Sequence, residues 1–221
     1  MDQFEKELIS ATPQGSEQWI DLRAGRFTAS EFWRLVTEPR TKAAKEAGEW
    51  SQTAMTYIKE KVAETLTGQP KTESYAYPLV YGKELEPQAR EYFESKTGLI
   101  VSHCGFQVYT DHAGGSPDGL IGEDMGLEIK CPFNSANQID YLSLKAENFL
   151  DEYPEYFWQV QCNLKFTDRK LWYFVTYDPR FKKEEHKMKI LKITPDAIAF
   201  AVIEEKLIKA IETKLQIISN L

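Results

Sequence analysis

Residues 126–130 read GLEIK, so apolar Leu127 and Ile129 alternate with charged Glu128 and Lys130. A period of two predicts a half-buried strand, with Leu127 and Ile129 on one face and Glu128 and Lys130 together on the other. Upstream the period lengthens. SEQWIDLRAG reads as a short helix ended by Gly25, and TASEFWRLV as a helix entry in which Thr28 is the N-cap and Glu31 completes a capping box. Residues 39–48 carry Arg40, Lys42 and Lys45 without an apolar period and read as a mobile loop. WSQTAMTYIKEKVAETLTG then places Met55, Ile58, Val62 and Leu66 at helical spacing and stops at Gly68.

A further helix is predicted over 85–96, with Leu85, Ala89, Tyr92 and Phe93 as its apolar stripe. Strands are predicted at GFQVYT, GLEIKCPF, HKMKILKI and, most strongly, KLWYFVTYD, which is dense in aromatic and β-branched residues. PEYFWQVQCNLKF, between the second and the last of these, is helical by spacing, and a closing helix is opened by Thr194 and Pro195. Helices, then strands with an inserted helix, then a closing helix predict a sheet flanked by helices, an α/β or α+β layered domain.

Composition narrows the class. The chain has 221 residues, 42% hydrophobic and 28% charged, as in ordinary globular proteins, and is long enough to bury a core. No repeat, low-complexity tract or linker divides it, so residues 1–221 read as one domain. No apolar run approaches the roughly 18 residues a membrane span needs. MDQFEKELIS lacks a charged-then-apolar secretion pattern, and the expected location is the cytoplasm. Three cysteines without a CxxC pair argue against an iron–sulfur cluster, and three histidines without HxxxH spacing against zinc. Cys104, Cys131 and Cys162 read as buried thiols in a reducing compartment. A metal here is therefore expected on carboxylates, which select a hard cation such as magnesium, with manganese as substitute. The net charge of −7 argues against a surface that binds nucleic acid everywhere, but leaves room for a local basic groove.

The candidate chemistry lies in SPDGLIGEDMGLEIKCPF. Asp118 sits in a PDG turn, and LIGEDMG is long enough for a hairpin return that sets Asp118 beside Glu128 across neighbouring strands. Two carboxylates at one point repel unless a cation or a shared proton intervenes. A divalent metal satisfies both, and Lys130 on the same face can orient or deprotonate the attacking water of a phosphodiester hydrolysis. Taken alone, PD…ExK is a modest signal, and a solvent-facing ion pair is the competing reading. Glu86, at the inward edge of its helix, is either a third site carboxylate or the i,i+4 partner of Arg90.

GKELEPQAREYFESKTG, SPDGL, LEIKCPF, QVQ and WYFVTYDPRFK stand in the order and spacing of the lambda-type viral recombination exonucleases, and the chain resembles that family from about Trp19 to its last helix. The resemblance implies a restriction-endonuclease-like mixed sheet flanked by helices. It implies Asp118, Glu128, Glu86 and the Ile129 carbonyl as magnesium ligands, Lys130 as the residue at the water, and Gln159 as polar partner of the site; Gln161 stands further from it. It also implies a seat for the 5′-phosphate of the DNA end. Here the residues agree, because Arg23, Thr28 and Ser30 cluster at a capped helix start, with Ser116 as a weaker fourth. Helix capping competes for Thr28, and an ordinary polar helix position for Gln159. The chain is shorter than the lambda enzyme before SPDG, so Asp111 is given no role. The basic stretch at residues 40–45 reads as a solvated loop before it reads as a DNA track.

The implied activity is a Mg²⁺-dependent exonuclease that digests one strand of linear duplex DNA from its 5′ end and leaves 3′ overhangs for recombination. A homotrimeric ring around double-stranded DNA and a single-strand-annealing protein as partner are implied with it, in a bacterial or phage-infected bacterial cell. An endonuclease or repair nuclease of the same fold is the alternative enzyme. A DNA-binding module without catalysis is the alternative from another class, disfavoured by the joint presence of Glu86, Asp118, Glu128 and Lys130.

Overall fold

A computed structural model describes residues 9–70 and 77–221; most of the N-terminal stretch read for a secretion signal lies outside them. The helices are α1 (Glu17–Arg23), α2 (Trp33–Val36), α3 (Lys42–Glu46), α4 (Gln52–Thr67), α5 (Tyr77–Thr97), α6 (Ser135–Ser143), α7 (Phe149–Glu152), α8 (Pro154–Thr167), α9 (Glu184–Lys187) and α10 (Ala197–Ser219). The strands are β1 (Phe27–Thr28), β2 (Gln107–Thr110), β3 (Ala113–Gly115), β4 (Gly119–Ile121), β5 (Met125–Lys130), β6 (Leu171–Tyr177) and β7 (Met188–Ile193). The larger sheet has the order β4-β5-β6-β7 and is mixed: β5 and β6 run parallel, and the outer pairs are antiparallel. A small sheet of order β1-β3-β2 lies beside it. The layered architecture read from the sequence is the one observed.

Strand alternation decides what each face meets. Leu127, Ile129, Tyr173 and Val175 pack with Ala89 and Phe93 of α5, while Trp172 and Phe174 pack with Val160 and Leu164 of α8. Leu127 and Phe93 are fully buried, and side chains of that size each contribute about 1.5–3 kcal/mol on burial. The third layer, α4 and α10, closes over the far side of α8 through Ile58, Cys162, Phe166 and Ile203. Helix α8 is therefore enclosed on most sides and buries Gln159, Gln161 and Asn163 along with its apolar residues. Among the described residues, no helix is long and apolar enough to cross a membrane.

Several expectations need correction. GLEIK is not half-buried: residues 126–129 are all buried, because α8 covers the face that alternation assigned to Glu128 and Lys130. The capping box at Thr28 does not form. Thr28 leads into a 3₁₀ turn, Ala29–Glu31, without a side-chain cap, and Glu31 instead pairs with Arg34 at 3.1 Å. Residues 39–48 are not all loop: α3 forms there, capped by Thr41, and Lys45 pairs with Glu38. The closing helix is capped by Asp196, whose carboxylate accepts from Ile198 N and Ala199 N, two residues after the expected Thr194. Helix α5 is already formed at Tyr77, well before residue 85.

Candidate active site

Everything the sequence placed around Asp118 and Glu128 meets at the open end of β4 and β5. The β4–β5 hairpin sets Gly119 opposite Leu127, which carries Asp118 to the position facing Glu128. Asp118 Oδ2 accepts a 2.6 Å hydrogen bond from Ile129 N. In a strand the N–H and C=O of one residue point to the same side, so the Ile129 carbonyl also faces the Asp118 side. Glu128 is 1% exposed. Its Oε1 accepts from Lys130 Nζ at 2.7 Å and from Gln159 Nε2 at 2.6 Å, and its Oε2 faces Asn163 Nδ2 at 3.4 Å. Lys130 Nζ also reaches Gln159 Oε1 at 3.3 Å and lies 5.0 Å from the centre of the Tyr156 ring. Gln161 turns away and bonds Thr194 O and Asp196 N.

Glu86 enters from α5, across a cleft of about 300 Å³ that it lines with Asp118, Ile129 and Lys130. Its Oε1 pairs with Arg90 at 3.0 Å, and the same guanidinium donates to the Asp118 carbonyl at 2.8 Å. Glu86 thus has its i,i+4 partner and also lines the cleft. Burial, and then the Asp118 charge, push the Glu86 carboxyl up to about 7 and that of Glu128 up to about 8. Burial also raises Asp118, against the pull of Lys130. Burial acts against the Lys130 ammonium, yet Glu128 and Asp118 raise its pKa above the ordinary lysine value.

Carboxyls held in this way, Glu128 buried and Glu86 and Asp118 half-buried, resist ionisation and would be relieved by a cation, and with a backbone carbonyl they offer the all-oxygen ligands that suit magnesium or manganese. Among the described residues, no three His, Cys, Asp or Glu side chains stand together as a ready-made cage. Lys130, Gln159 and Asn163 occupy the Glu128 oxygens, and Arg90 holds Glu86. A cation entering the cleft has to take over part of those contacts. The three thiols are free, and burial pushes Cys104 and Cys131 up to about 12, which makes them poor ligands.

The residues read as an anion seat fall into two groups of contacts. The Arg23 guanidinium stacks 4.1 Å from the Trp19 ring centre, and Trp19 Nε1 donates to Ser116 Oγ at 3.0 Å. Trp19 is the link sequence reading missed; its signal is the i,i+4 spacing to Arg23 on α1. Ser30 Oγ lies 3.4 Å from Thr28 Oγ1, and Thr28 N donates to Tyr57 Oη at 2.9 Å. Thr28 is buried and held by these neighbours, a structural part in place of the expected cap.

The turn that sets Arg23 is fixed at Gly25, whose N–H donates to Glu64 Oε2 and whose carbonyl accepts from Lys214 Nζ. Gly25 has φ +70°, and a Cβ there would stand 2.4 Å from Thr65 Oγ1. Gly25→Ala is therefore expected to destabilise the protein by about 1–3 kcal/mol, read as a lower midpoint in urea. An unchanged midpoint would show that the turn is not strained by a side chain.

Residues 18–170 match the YqaJ-like viral recombinase domain family. Among solved structures, the alkaline exonuclease LHK-Exo of Laribacter hongkongensis is 28% identical, with a TM-score of 0.77 over 93% of this chain and 95% of its own. LHK-Exo in complex with dAMP gives the same figures, 28%, 0.77, 93% and 95%. A phage-related exonuclease of Haemophilus somnus 129PT shares the fold at 19% identity, with a TM-score of 0.69 over 88% of this chain and 96% of that one. Comparison with curated protein sequences gives no match.

Proposed function

Since the chain belongs to the YqaJ-like viral recombinase family, we propose that it is a Mg²⁺-dependent exonuclease that digests one strand of linear duplex DNA from the 5′ end, leaving 3′ overhangs for homologous recombination. The observation that carries the reading is the meeting of Glu86, Asp118, Ile129 and Lys130 along one cleft, with Glu128 and Gln159 directly behind Lys130. Asp118, Glu128, Glu86 and the Ile129 carbonyl would hold magnesium, or manganese in its place. Such an ion supplies charge neutralisation at the scissile phosphate and a more acidic bound water. Lys130 holds a positive charge at the cleft edge, where it orients the attacking water and offsets charge developing on phosphate oxygens. Gln159 keeps Lys130 and Glu128 in register by bonding both.

Arg23, Ser116 and Ser30 form the seat for the 5′-phosphate. The Trp19 indole fixes the Arg23 plane, and by donating to Ser116 Oγ it leaves that hydroxyl's proton available to an anion. A homotrimeric ring with a basic channel, and a single-strand-annealing partner, belong to the same reading; a ring reconciles DNA binding with a net charge of −7.

The test uses linear duplexes with 5′-phosphate or 5′-hydroxyl ends, closed circles, and buffer with or without Mg²⁺. Loss of linear DNA alone, faster from the phosphate and only with the metal, is the expected result. Cleavage of circles would replace the reading with an endonuclease, and binding without cleavage with a DNA-binding module. Arg23→Ala is expected to slow digestion of phosphorylated ends by about 10–100-fold, in line with loss of a charged, bidentate phosphate contact of roughly 1.5–3 kcal/mol. Equal slowing on hydroxyl ends would place Arg23 outside the phosphate seat.

A further inference from the structure

We propose that Asn163 is a positioning residue that ties the seat of the DNA end to Glu128; the inference rests on the exonuclease reading above. Asn163 lies one helical turn after Gln159 on α8, so the two amides share a face and both reach the same carboxylate. Gln159 and Lys130 hold Glu128 Oε1, and Asn163 Nδ2 is the group that faces Oε2. Asn163 is 1% exposed, and its Oδ1 is buried without a hydrogen-bond partner among the described residues. An unmet buried acceptor forfeits its hydration without return, and a site at which the chain keeps that cost calls for a reason.

The reason lies on the other side of the amide. A Cβ on Gly115 would stand 2.4 Å from Asn163 Oδ1 and 3.2 Å from the Ala29 Cβ, so the Gly115 backbone packs closely against both the amide and the start of the turn at Ala29. The next residues along those two segments are Ser116 and Ser30, two hydroxyls of the proposed phosphate seat. Asn163 therefore faces the Glu128 carboxylate with one end of its amide and the Gly115 backbone, next to Ser116, with the other. An anion that draws Ser30 and Ser116 together presses on Gly115 and, through it, on the amide that orients Glu128. By this route a seated 5′-phosphate speeds the cut as well as holding the end.

The experiment measures kcat and KM on duplexes with 5′-phosphate and 5′-hydroxyl ends for the wild type, Asn163→Ala, the volume-matched Asn163→Asp, and Gly115→Ala, which pushes on the amide from the seat side. In each variant kcat on phosphorylated ends is expected to fall about 10–100-fold, the range for a residue supporting a ligand from behind. KM should stay within about twofold, and the phosphate-to-hydroxyl ratio of kcat should collapse toward one. The phosphate-to-hydroxyl ratio, taken on one preparation of each variant, does not depend on the fraction that folds, so a folding defect in any variant leaves the reading intact. If the wild type favours phosphate and the variants keep that ratio while losing rate on both ends equally, Asn163 merely supports the fold and the inference is overturned. A wild type that makes no distinction between the ends overturns the phosphate seat itself, and the inference with it.

Discussion

Glu128→Gln is expected to lower the cleavage rate by about 10²–10⁴-fold while raising the melting temperature of the metal-free protein at pH 8.5. The two effects have one cause. Glu128 is buried, and burial followed by the Asp118 charge pushes its carboxyl up to about 8. A carboxyl raised in the folded state favours folding in its protonated form. That contribution is complete below the unfolded value of about 4.5 and is lost as pH rises through about 8. Glu86, pushed up to about 7, adds a loss over a lower window, from about 4.5 to 7. The metal-free wild type should therefore melt progressively lower from pH 5 to 8.5, as its stability falls by an amount on the order of a few kcal/mol, since each tenfold change in proton affinity is worth about 1.4 kcal/mol.

Added Mg²⁺ should restore the melting temperature most at the alkaline end, where the carboxylates are ionised and ready to bind. Gln removes the buried charge and keeps an oxygen for Lys130 and Gln159, and its amide nitrogen meets Asn163, whose unpartnered Oδ1 can turn to accept from it. Thermal melts at pH 5, 7 and 8.5 with and without Mg²⁺, beside a nuclease assay, check both halves. A flat wild-type profile, or a variant that still cuts at near the wild-type rate, would sink the assignment of Glu128.

The sequence made the faces of β5 legible but left their surroundings hidden. Alternation in GLEIK is a local property, and it put Glu128 and Lys130 together on one side. Whether that side meets water or a helix depends on the crossover between the parallel strands β5 and β6, which lays α8 over it. Asn163 escaped notice for the same reason. In isolation it is an unremarked polar residue inside a helix, and only the sheet beneath gives it a carboxylate to face. Thr28 and Glu31 carried the right letters for a capping box, yet β1 pairs with β3 at Phe27 and Thr28, and that pairing holds Thr28 in extended backbone before a 3₁₀ turn. Strand β3 was invisible because Ala113, Gly114 and Gly115 have no β-branched side chains; closeness to Phe106 and Asn163 requires the small residues there. The hairpin that joins Asp118 to Glu128 was readable, because PDG and a short polar return specify it from nearby residues alone.

Lys130→Met is expected to cut turnover by about 10²–10⁴-fold and yet leave the pH dependence of the remaining activity where it was. A lysine that serves as general base must lose its proton near the working pH. Burial pulls Lys130 in that direction, but the Glu128 and Asp118 carboxylates overcome it and hold the ammonium above the ordinary lysine value. Its Nζ has two oxygen partners, Glu128 Oε1 at 2.7 Å and Gln159 Oε1 at 3.3 Å, an arrangement made for a donor. A cation held by the same carboxylates would lower the lysine pKa from that raised starting point, and the geometry would still present it as a charge aimed into the cleft. On the proposed reading the proton of the attacking water would leave by another route, and the ascending limb of the pH–rate profile would follow the carboxyls that would hold the cation and the acidity the cation would lend to water. With Lys130→Met the limb should keep its midpoint at a much lower ceiling, measured from pH 6 to 10 at saturating Mg²⁺. Disappearance of the limb in the Met variant would make Lys130 the base, and the hydrogen bonds to Glu128 and Gln159 would then describe its resting state alone.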